Sequence, residues 1–223
     1  MDRECKICGG DGWIGWTGED GYWYARPCEC QLRRRSLDNI EKSGLVNPKA
    51  FTLKRFQTGE PWQQRLMESA EKFLADPAPA WFFVGGQPGS GKTHLCTGIC
   101  LEMINTGHRV RYEVWPRLAQ RMKRARNFEN EYEIQMSDLR EVNVLYLDDL
   151  FKGRTTAADR QLAWEIINAR YVADRTTIIS SELHLSQIAD IDDAIGGRIY
   201  QMAAGYRNNV QFDDTRDYRR RGA

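Results

Sequence analysis

The chain has 223 residues, 41% of them hydrophobic and 28% charged, with a formal net charge of +1. That composition belongs to a folded globular protein and excludes a disordered one, and the near-zero charge leaves any attraction to nucleic acid or membrane to a local patch. No apolar run approaches the roughly 20 residues of a membrane span, and the first thirty residues carry charges, tryptophans and cysteines where a secretion signal would be apolar. The expectation is a cytoplasmic protein, in whose reducing surroundings six cysteines would not persist as disulfides.

Along the chain, residues 1 to about 30 are rich in Gly, Trp and Cys and show almost no periodicity. A basic run, Gln31-Leu32-Arg33-Arg34-Arg35, opens a helix expected to end near Gly44, and a less regular connector leads through Asn47-Pro48 to Phe56. Pro61 suits a first helical position, with Trp62, Leu66, Ala70 and Phe73 on one face until Asp76-Pro77. Trp81-Phe82-Phe83-Val84 is a short, wholly apolar run of the kind a buried parallel strand uses. A helix is predicted over 92–105 with Gly107 placed to end it, then a strand over 109–115 and a helix from Pro116. Further strands are predicted over 142–147, 176–179 and 210–212, with a long helix over 157–172 whose Leu162, Ile166, Ile167 and Ala169 face inward. Strands alternating with helices predict an α/β fold, a parallel sheet of five strands covered on both faces. The organisation expected is a small module over 1–32, a helical linker over 33–60 and the main domain over 61–223.

The strongest chemical signal is Gly86-Gln87-Pro88-Gly89-Ser90-Gly91-Lys92-Thr93 between an apolar strand and a helix. Its glycines let backbone N–H groups converge on phosphate oxygens, and the helix N-terminus adds its positive dipole end. Lys92 would reach the β/γ-phosphates and the Thr93 hydroxyl would ligate Mg²⁺, so the chain is predicted to bind a nucleoside triphosphate. Val144-Leu145-Tyr146-Leu147-Asp148-Asp149 is an apolar strand ending in two acids: Asp148 beside the metal and Asp149 polarising the attacking water. Many such enzymes have Glu in the second place, so Asp149 is one methylene short. Arg198, in Ala194-Ile195-Gly196-Gly197-Arg198-Ile199, is placed to reach a neighbouring subunit's γ-phosphate, or equally to pair with Asp192 or Asp193. In well-studied NTPases such an arginine is worth roughly 10³–10⁵ in rate.

Cys5-x-x-Cys8-Gly-Gly and Cys28-x-Cys30 supply four thiolates. They favour a closed tetrahedral structural Zn²⁺ site, with iron–sulfur ligation as the alternative. The stretch is too short to fold on a core of its own, so bound zinc would supply its fold and present Trp13, Trp16, Trp23 and Tyr24. Cys96 and Cys100, four apart in a predicted helix, read as core residues. Arg117, Arg121, Lys123, Arg124 and Arg126 lie within ten residues without an acid. They read either as a single-stranded DNA track with Trp115 or Phe128 to stack on bases, or as a solvated face neutralised by Glu129, Glu131 and Glu133.

The stretches WFFVGGQPGSGKTHLC, VLYLDDLF, LAWEIINARY and TIISSELHLSQIADIDDAIGGRI, with the closing DYR, resemble the AAA+ ATPases of the DnaC/DnaI helicase-loader and IstB group, and within it the phage and prophage DnaC-type proteins. The resemblance implies an AAA+ domain acting in a bacterial host cell, with Walker A over 86–93 and Walker B at Asp148 and Asp149. It places Ser181 and Glu182 at sensor 1, where the family usually carries an Asn. Arg198 matches the arginine finger, and Arg219, within a basic tail, a sensor 2 arginine. It further implies DNA-stimulated ATP hydrolysis, self-association into a ring or spiral, a grip on a hexameric replicative helicase by residues 1 to about 45, and single-stranded DNA binding by the AAA+ domain. The rival readings are an IstB-like transposition helper acting on duplex DNA and a transposase, and an ATP-switched adaptor that barely hydrolyses.

Overall fold

In the computed structural model the described residues are 5–211 apart from 77 and 79. Phe212 and Arg219 therefore lie outside the described residues. Two strands, β1 (Trp13–Thr17) and β2 (Trp23–Pro27), pair antiparallel in register Trp16↔Tyr24 and form a separate hairpin. The turn closes by Gly18 and Tyr22, whose N–H and C=O bond at 2.8 Å. A stretch whose sequence shows almost no periodicity thus forms a ribbon. Its strands are exposed along nearly their whole length, so no buried face imposes the period of two that marks a strand in sequence.

Helix α1 (Glu29–Ser43) follows directly and ends at Gly44, whose φ of 77° supplies the left-handed cap. Ser36, Ile40 and Leu45 turn this helix and its exit toward the main domain: the Ser36 hydroxyl donates to the Ile104 carbonyl at 3.5 Å, and Leu45 is buried in the core. After α2 (Pro61–Ala75) comes the main sheet: β3 (Trp81–Gly86), β4 (Val110–Val114), β5 (Val144–Asp148), β6 (Thr176–Ser181) and β7 (Arg207–Val210). Its order is β4-β5-β6-β3-β7 with every neighbour parallel, the five-stranded sheet expected. Between the strands run α3 (Lys92–Asn105), α4 (Trp115–Ala125), α5 (Glu129–Glu141), α6 (Ala157–Val172), α7 (Leu185–Ile191) and α8 (Asp193–Met202).

Both faces are covered, which explains the unbroken apolar runs. On β3, Trp81 and Phe83 join the layer of α4, α5, α6 and α8, while Phe82 and Val84 join that of α1, α2 and α3. On β5, Leu145 and Leu147 face the first layer and Val144 and Tyr146 the second. At roughly 1.5–3 kcal/mol for each large side chain buried, this double layer carries the fold.

Several predicted bounds shift: the strand expected over 109–115 is Val110–Val114, with Trp115 opening α4, and that over 176–179 runs on to Ser181. The last strand is Arg207–Val210, ahead of the one expected over 210–212, of which Gln211 lies past the strand and Phe212 outside the described residues. It is a polar edge strand, held where the Asn208 amide donates to the Phe83 carbonyl (3.2 Å) and the Ser69 hydroxyl (3.0 Å). The strand expected from Val142 begins at Val144, because Val142 caps α5 by donating its N–H to the Asp138 carbonyl. On α6, Leu162, Ile166 and Ile167 are buried as predicted, but Ala169 is half-buried and Arg170 takes the deeper place.

Candidate nucleotide site

The site lies at the carboxyl edge of the sheet, where β3 ends in Gly86, β5 in Asp148 and β6 in Ser181. Gly86 has a φ of 129°, and a Cβ there would meet the Val210 carbonyl oxygen at 2.0 Å; only glycine lets the loop leave β3 beside β7. Gly91, at φ 82°, caps α3 from outside the helix, so the first turn's free N–H groups face the loop. Lys92 is almost wholly buried and folded back on the loop, its Nζ donating to the carbonyls of Gly86 (2.8 Å) and Gln87 (2.7 Å). Burial lowers its pKa, while Asp149, Glu182 and Asp148 pull the other way.

Asp148 is buried and fully dressed. Its carboxylate accepts from the hydroxyls of Tyr112 (2.8 Å), Tyr146 (2.8 Å) and Ser180, and lies 3.3 Å from the Thr93 hydroxyl. Burial and this carboxylate together push both tyrosine phenols up, so they remain donors. Asp149 stands in the left-handed region (φ 58°), its N–H donating to the Ser180 hydroxyl at 3.2 Å and its Oδ2 accepting from Lys152 Nζ at 2.9 Å. Lys152 also pairs with Glu182 at 2.8 Å. Of the two residues expected at sensor 1, Glu182 lines the cavity, while Ser181 is buried and donates to the Leu150 carbonyl at 2.7 Å.

The cavity in front of these groups measures about 620 Å³, a volume in the range of small-ligand sites. One wall was not foreseen. Phe51, Arg55 and Phe56, from the connector before α2, close it against His94 of α3. The His94 ring stacks on Phe51 (5.2 Å between centroids) and meets Phe56 edge-on (5.5 Å), and its Nε2 bonds the Thr52 carbonyl at 2.9 Å. No sequence signal links these residues to a loop some thirty positions later; tertiary packing does.

Arg198, on α8, does not line that cavity. Its Nε and Nη2 donate to Asn168 Oδ1 (3.1 and 2.8 Å) and its guanidinium lies 5.4 Å from the Tyr171 ring, so neither Asp192 nor Asp193 pairs with it. The basic residues of α4 and its C-cap, Arg126, divide. Arg121 pairs with Glu113 (2.7 Å), Lys123 with Asp159 (2.6 Å) and Arg126 with Glu165 (3.6 Å), whereas Arg117 and Arg124 are exposed without an ion pair among the described residues. The neutralising acids thus come from β4 and α6 and not from Glu129, Glu131 or Glu133.

At the other end of the chain the Sγ atoms of Cys5, Cys8, Cys28 and Cys30 all lie within 4.8 Å of one another. The spacings Cys5–Cys28 (3.7 Å) and Cys8–Cys30 (3.4 Å) exclude disulfides. They are close to the edge of about 3.8 Å that a tetrahedron with Zn–S bonds of about 2.3 Å would have. The Gly12 N–H donates to Cys8 Sγ at 3.2 Å. Against the opposing effect of burial, that N–H and the Cys30 thiol bring Cys8 down to about 6. The hydrogen bond with Cys8, then burial, push Cys30 up to about 12. Sulfurs this crowded cannot all be thiolates unless a cation lies among them, so the donor set fits zinc. Cys28 is the N-cap of α1 and Cys30 lies in its first turn, so the cluster joins hairpin to helix. Trp16 stacks on Tyr24 at 5.7 Å, and Trp13, Tyr22 and Trp23 are exposed on the same hairpin.

A phosphate-binding loop, a hydroxyl-dressed aspartate on the neighbouring strand and this strand order define a P-loop nucleotide-binding domain of the AAA+ kind. Residues 50–196 match the family described as IstB-like ATP binding protein. The chain is 35% identical to the phage-like element PBSX protein XkdC of Bacillus subtilis (strain 168), over 80% of this chain and 72% of that one. It is 32% identical to YqaM of the same organism, over 90% of this chain and 67% of that one. Among solved structures, the DnaC helicase loader superposes with a TM-score of 0.63 at 22% identity, over 74% of this chain and 98% of that one. The AMPPCP-bound DnaA from Aquifex aeolicus gives 0.64 at 22% identity, over 76% of this chain; the chain spans about half, 51%, of that longer protein. This chain belongs to the IstB/DnaC-like family of ATP-binding AAA+ proteins. Among the described residues no helix is long and apolar enough to cross a membrane.

Proposed function

We propose that this protein is an ATP-dependent loader of a hexameric replicative helicase, gripping the helicase through its N-terminal cysteine-held hairpin and single-stranded DNA through the AAA+ domain. The observation that carries this reading is the hairpin itself: a small ribbon bearing Trp16, Trp23 and Tyr24, rooted by the cysteine cluster in the first turn of a helix that packs on the ATP-binding domain. Aromatics offered this way are the usual anchors of a protein interface. A rigid connection to the domain lets nucleotide state bear on the grip.

In this reading Gly86 to Thr93 cradle the phosphates, Lys92 leaves its loop carbonyls for the β/γ-phosphates, and Thr93 with Asp148 would hold Mg²⁺. Zn²⁺ on Cys5, Cys8, Cys28 and Cys30 would set the hairpin. Mg²⁺ supplies charge neutralisation at the phosphates; Asp149 orients the water and takes its proton as the bond to the γ-phosphorus forms and ADP leaves. Arg198, held from its own cavity by Asn168, completes a neighbour's site in a ring or spiral. Arg219 is proposed as a sensor 2 arginine that binds the nucleotide.

Native mass spectrometry with a candidate helicase, with and without ATP, tests the reading. Several copies on one hexamer, lost when residues 1–45 are removed, are expected. No complex with the helicase, but one with a transposase on duplex DNA, would move the protein to the IstB-like transposition role, a reading favoured by the family match over 50–196. The Lys152 clasp on Asp149 favours a third reading, a slow ATP-switched adaptor; ATP turnover by the assembled complex separates it.

A further inference from the structure

Lys152 borders two cavities. In the nucleotide cavity its Nζ pairs with Asp149 at 2.9 Å and Glu182 at 2.8 Å. The same residue lines a second open cavity of about 410 Å³ between α4 and the segment joining β5 to α6. Four cations, Lys123, Arg124, Lys152 and Arg154, surround this second cavity with a single carboxylate, Asp159, which Lys123 takes up at 2.6 Å. Arg124 and Arg154 are exposed and have no ion pair among the described residues. That imbalance suits an anion, and two guanidinium forks suit the paired oxygens of a phosphate.

The segment carrying Lys152 is set and not slack. Asp149, Phe151 and Gly153 all have positive φ (58°, 59° and 86°), and Leu150 and Phe151 are buried. The backbone is thereby pinned between the cavities, and what can move is the four-carbon stem of Lys152.

We propose that the second cavity receives a backbone phosphate of nucleic acid and that Lys152 couples it to the nucleotide site. With the cavity empty, the ammonium holds Asp149 Oδ2 at 2.9 Å and so competes with an attacking water for that carboxylate. With a phosphate bound between Arg124 and Arg154, the ammonium turns to it and frees Asp149. Lys152 is a positioning residue in this scheme, since it acts through Asp149. The inference rests on the loader reading only for hydrolysis. The coupling itself is a property of binding and is reciprocal, so nucleotide must change nucleic-acid affinity by the same factor that nucleic acid changes nucleotide affinity.

The test is the anisotropy of a labelled single-stranded thymidine oligonucleotide titrated with the full chain, with and without a non-hydrolysable ATP analogue, across salt. A fluorescent ATP analogue checks that each variant keeps a folded site. Arg124→Glu combined with Arg154→Glu should weaken oligonucleotide binding by roughly tenfold or more. It should also flatten the slope of log affinity against log salt by about 0.7 for each phosphate no longer neutralised. Lys152→Gln should leave most of the oligonucleotide affinity in place but abolish its dependence on the ATP analogue. In ATPase assays the same variant should run without the oligonucleotide near the stimulated wild-type rate.

Unchanged affinity in the double variant overturns the cavity, and unchanged coupling in Lys152→Gln overturns the switch. Inorganic phosphate reproducing the oligonucleotide's effect would make the cavity a free-anion site and overturn the nucleic-acid assignment. A wild type that shows nucleotide-dependent oligonucleotide binding yet no hydrolysis would sink the ATPase reading and leave this inference standing.

Discussion

Arg170 lies wholly inside the core, and no ion pair holds it among the described residues. Its guanidinium donates to the carbonyls of Leu139 (2.9 Å), Val142 (3.0 Å) and Thr176 (2.6 Å) and to the Thr177 hydroxyl (2.9 Å). It thereby ties the negative end of the α5 dipole to the start of β6. Burial, with Arg175 adding to it, pulls its pKa down to about 9, so it remains a cation at neutral pH. Arg170→Ala strands several buried acceptors and should cost about 3–5 kcal/mol in urea unfolding; a loss under about 1 kcal/mol would mean that water takes over its bonds. The position was half-legible: 162, 163, 166, 167 and 170 form one helical stripe, but a lone arginine is assigned outward unless its acceptors are known. Asp159 illustrates the opposite sign. Burial works against its carboxylate, yet the Lys123 ammonium and the Thr156 hydroxyl and N–H hold its pKa low. A carboxylate depressed in the folded state stabilises above its unfolded value and loses that contribution as pH falls, so stability should drop below about pH 4. In Asp159→Asn, urea midpoints measured down to about pH 3 should fall less steeply than in the wild type.

At the scale of elements, the cavity wall depends on one close approach. A Cβ on Gly98 of α3 would meet the Leu53 backbone nitrogen at 2.9 Å and its Cδ2 at 2.6 Å. Alanine is worth about 1 kcal/mol over glycine inside a helix, so in open space Gly98→Ala would stabilise. Here it should push the Leu53–Arg55 turn off α3 and weaken ATP binding roughly fivefold, about 1 kcal/mol of overpacking, without touching the phosphate loop; unchanged affinity in a fluorescent nucleotide titration would refute this. The hairpin makes a second case. Elemental analysis should find about one zinc per chain, and Cys8→Ser should lose it along with the ordered tryptophan near-UV signal. ATP affinity should stay within about twofold, because the cluster feeds α1 and not the phosphate loop. The P-loop, the acids and the cysteine pairs were legible because each is a local pattern with a fixed spacing. The hairpin strands, exposed on both sides, and the polar edge strand β7 carry no such pattern.

At the scale of the molecule, the chain alone does not bring Arg198 to its own nucleotide cavity. If a neighbour's cavity is its target, Arg198→Ala should lose at least roughly tenfold in ATPase rate while still binding ATP. Mixing it with Lys92→Ala should then restore part of the rate, since mixed assemblies contain sites with one intact lysine and one intact arginine. A mixture as inactive as its components would show that Arg198 acts only within its own chain. By itself the sequence determined the α/β class, the parallel sheet, the phosphate loop and the sulfur cluster, because buried strands and ligand loops impose residue types at short range. Only the tertiary structure decided that a connector wall of Phe51 and Phe56 closes the nucleotide cavity, that acids of β4 and α6 neutralise half the basic helix, and that Lys152 stands between two cavities. Those relations join side chains far apart in sequence, and chain folding alone, through the burial of two apolar layers on one sheet, brings them within a few ångströms.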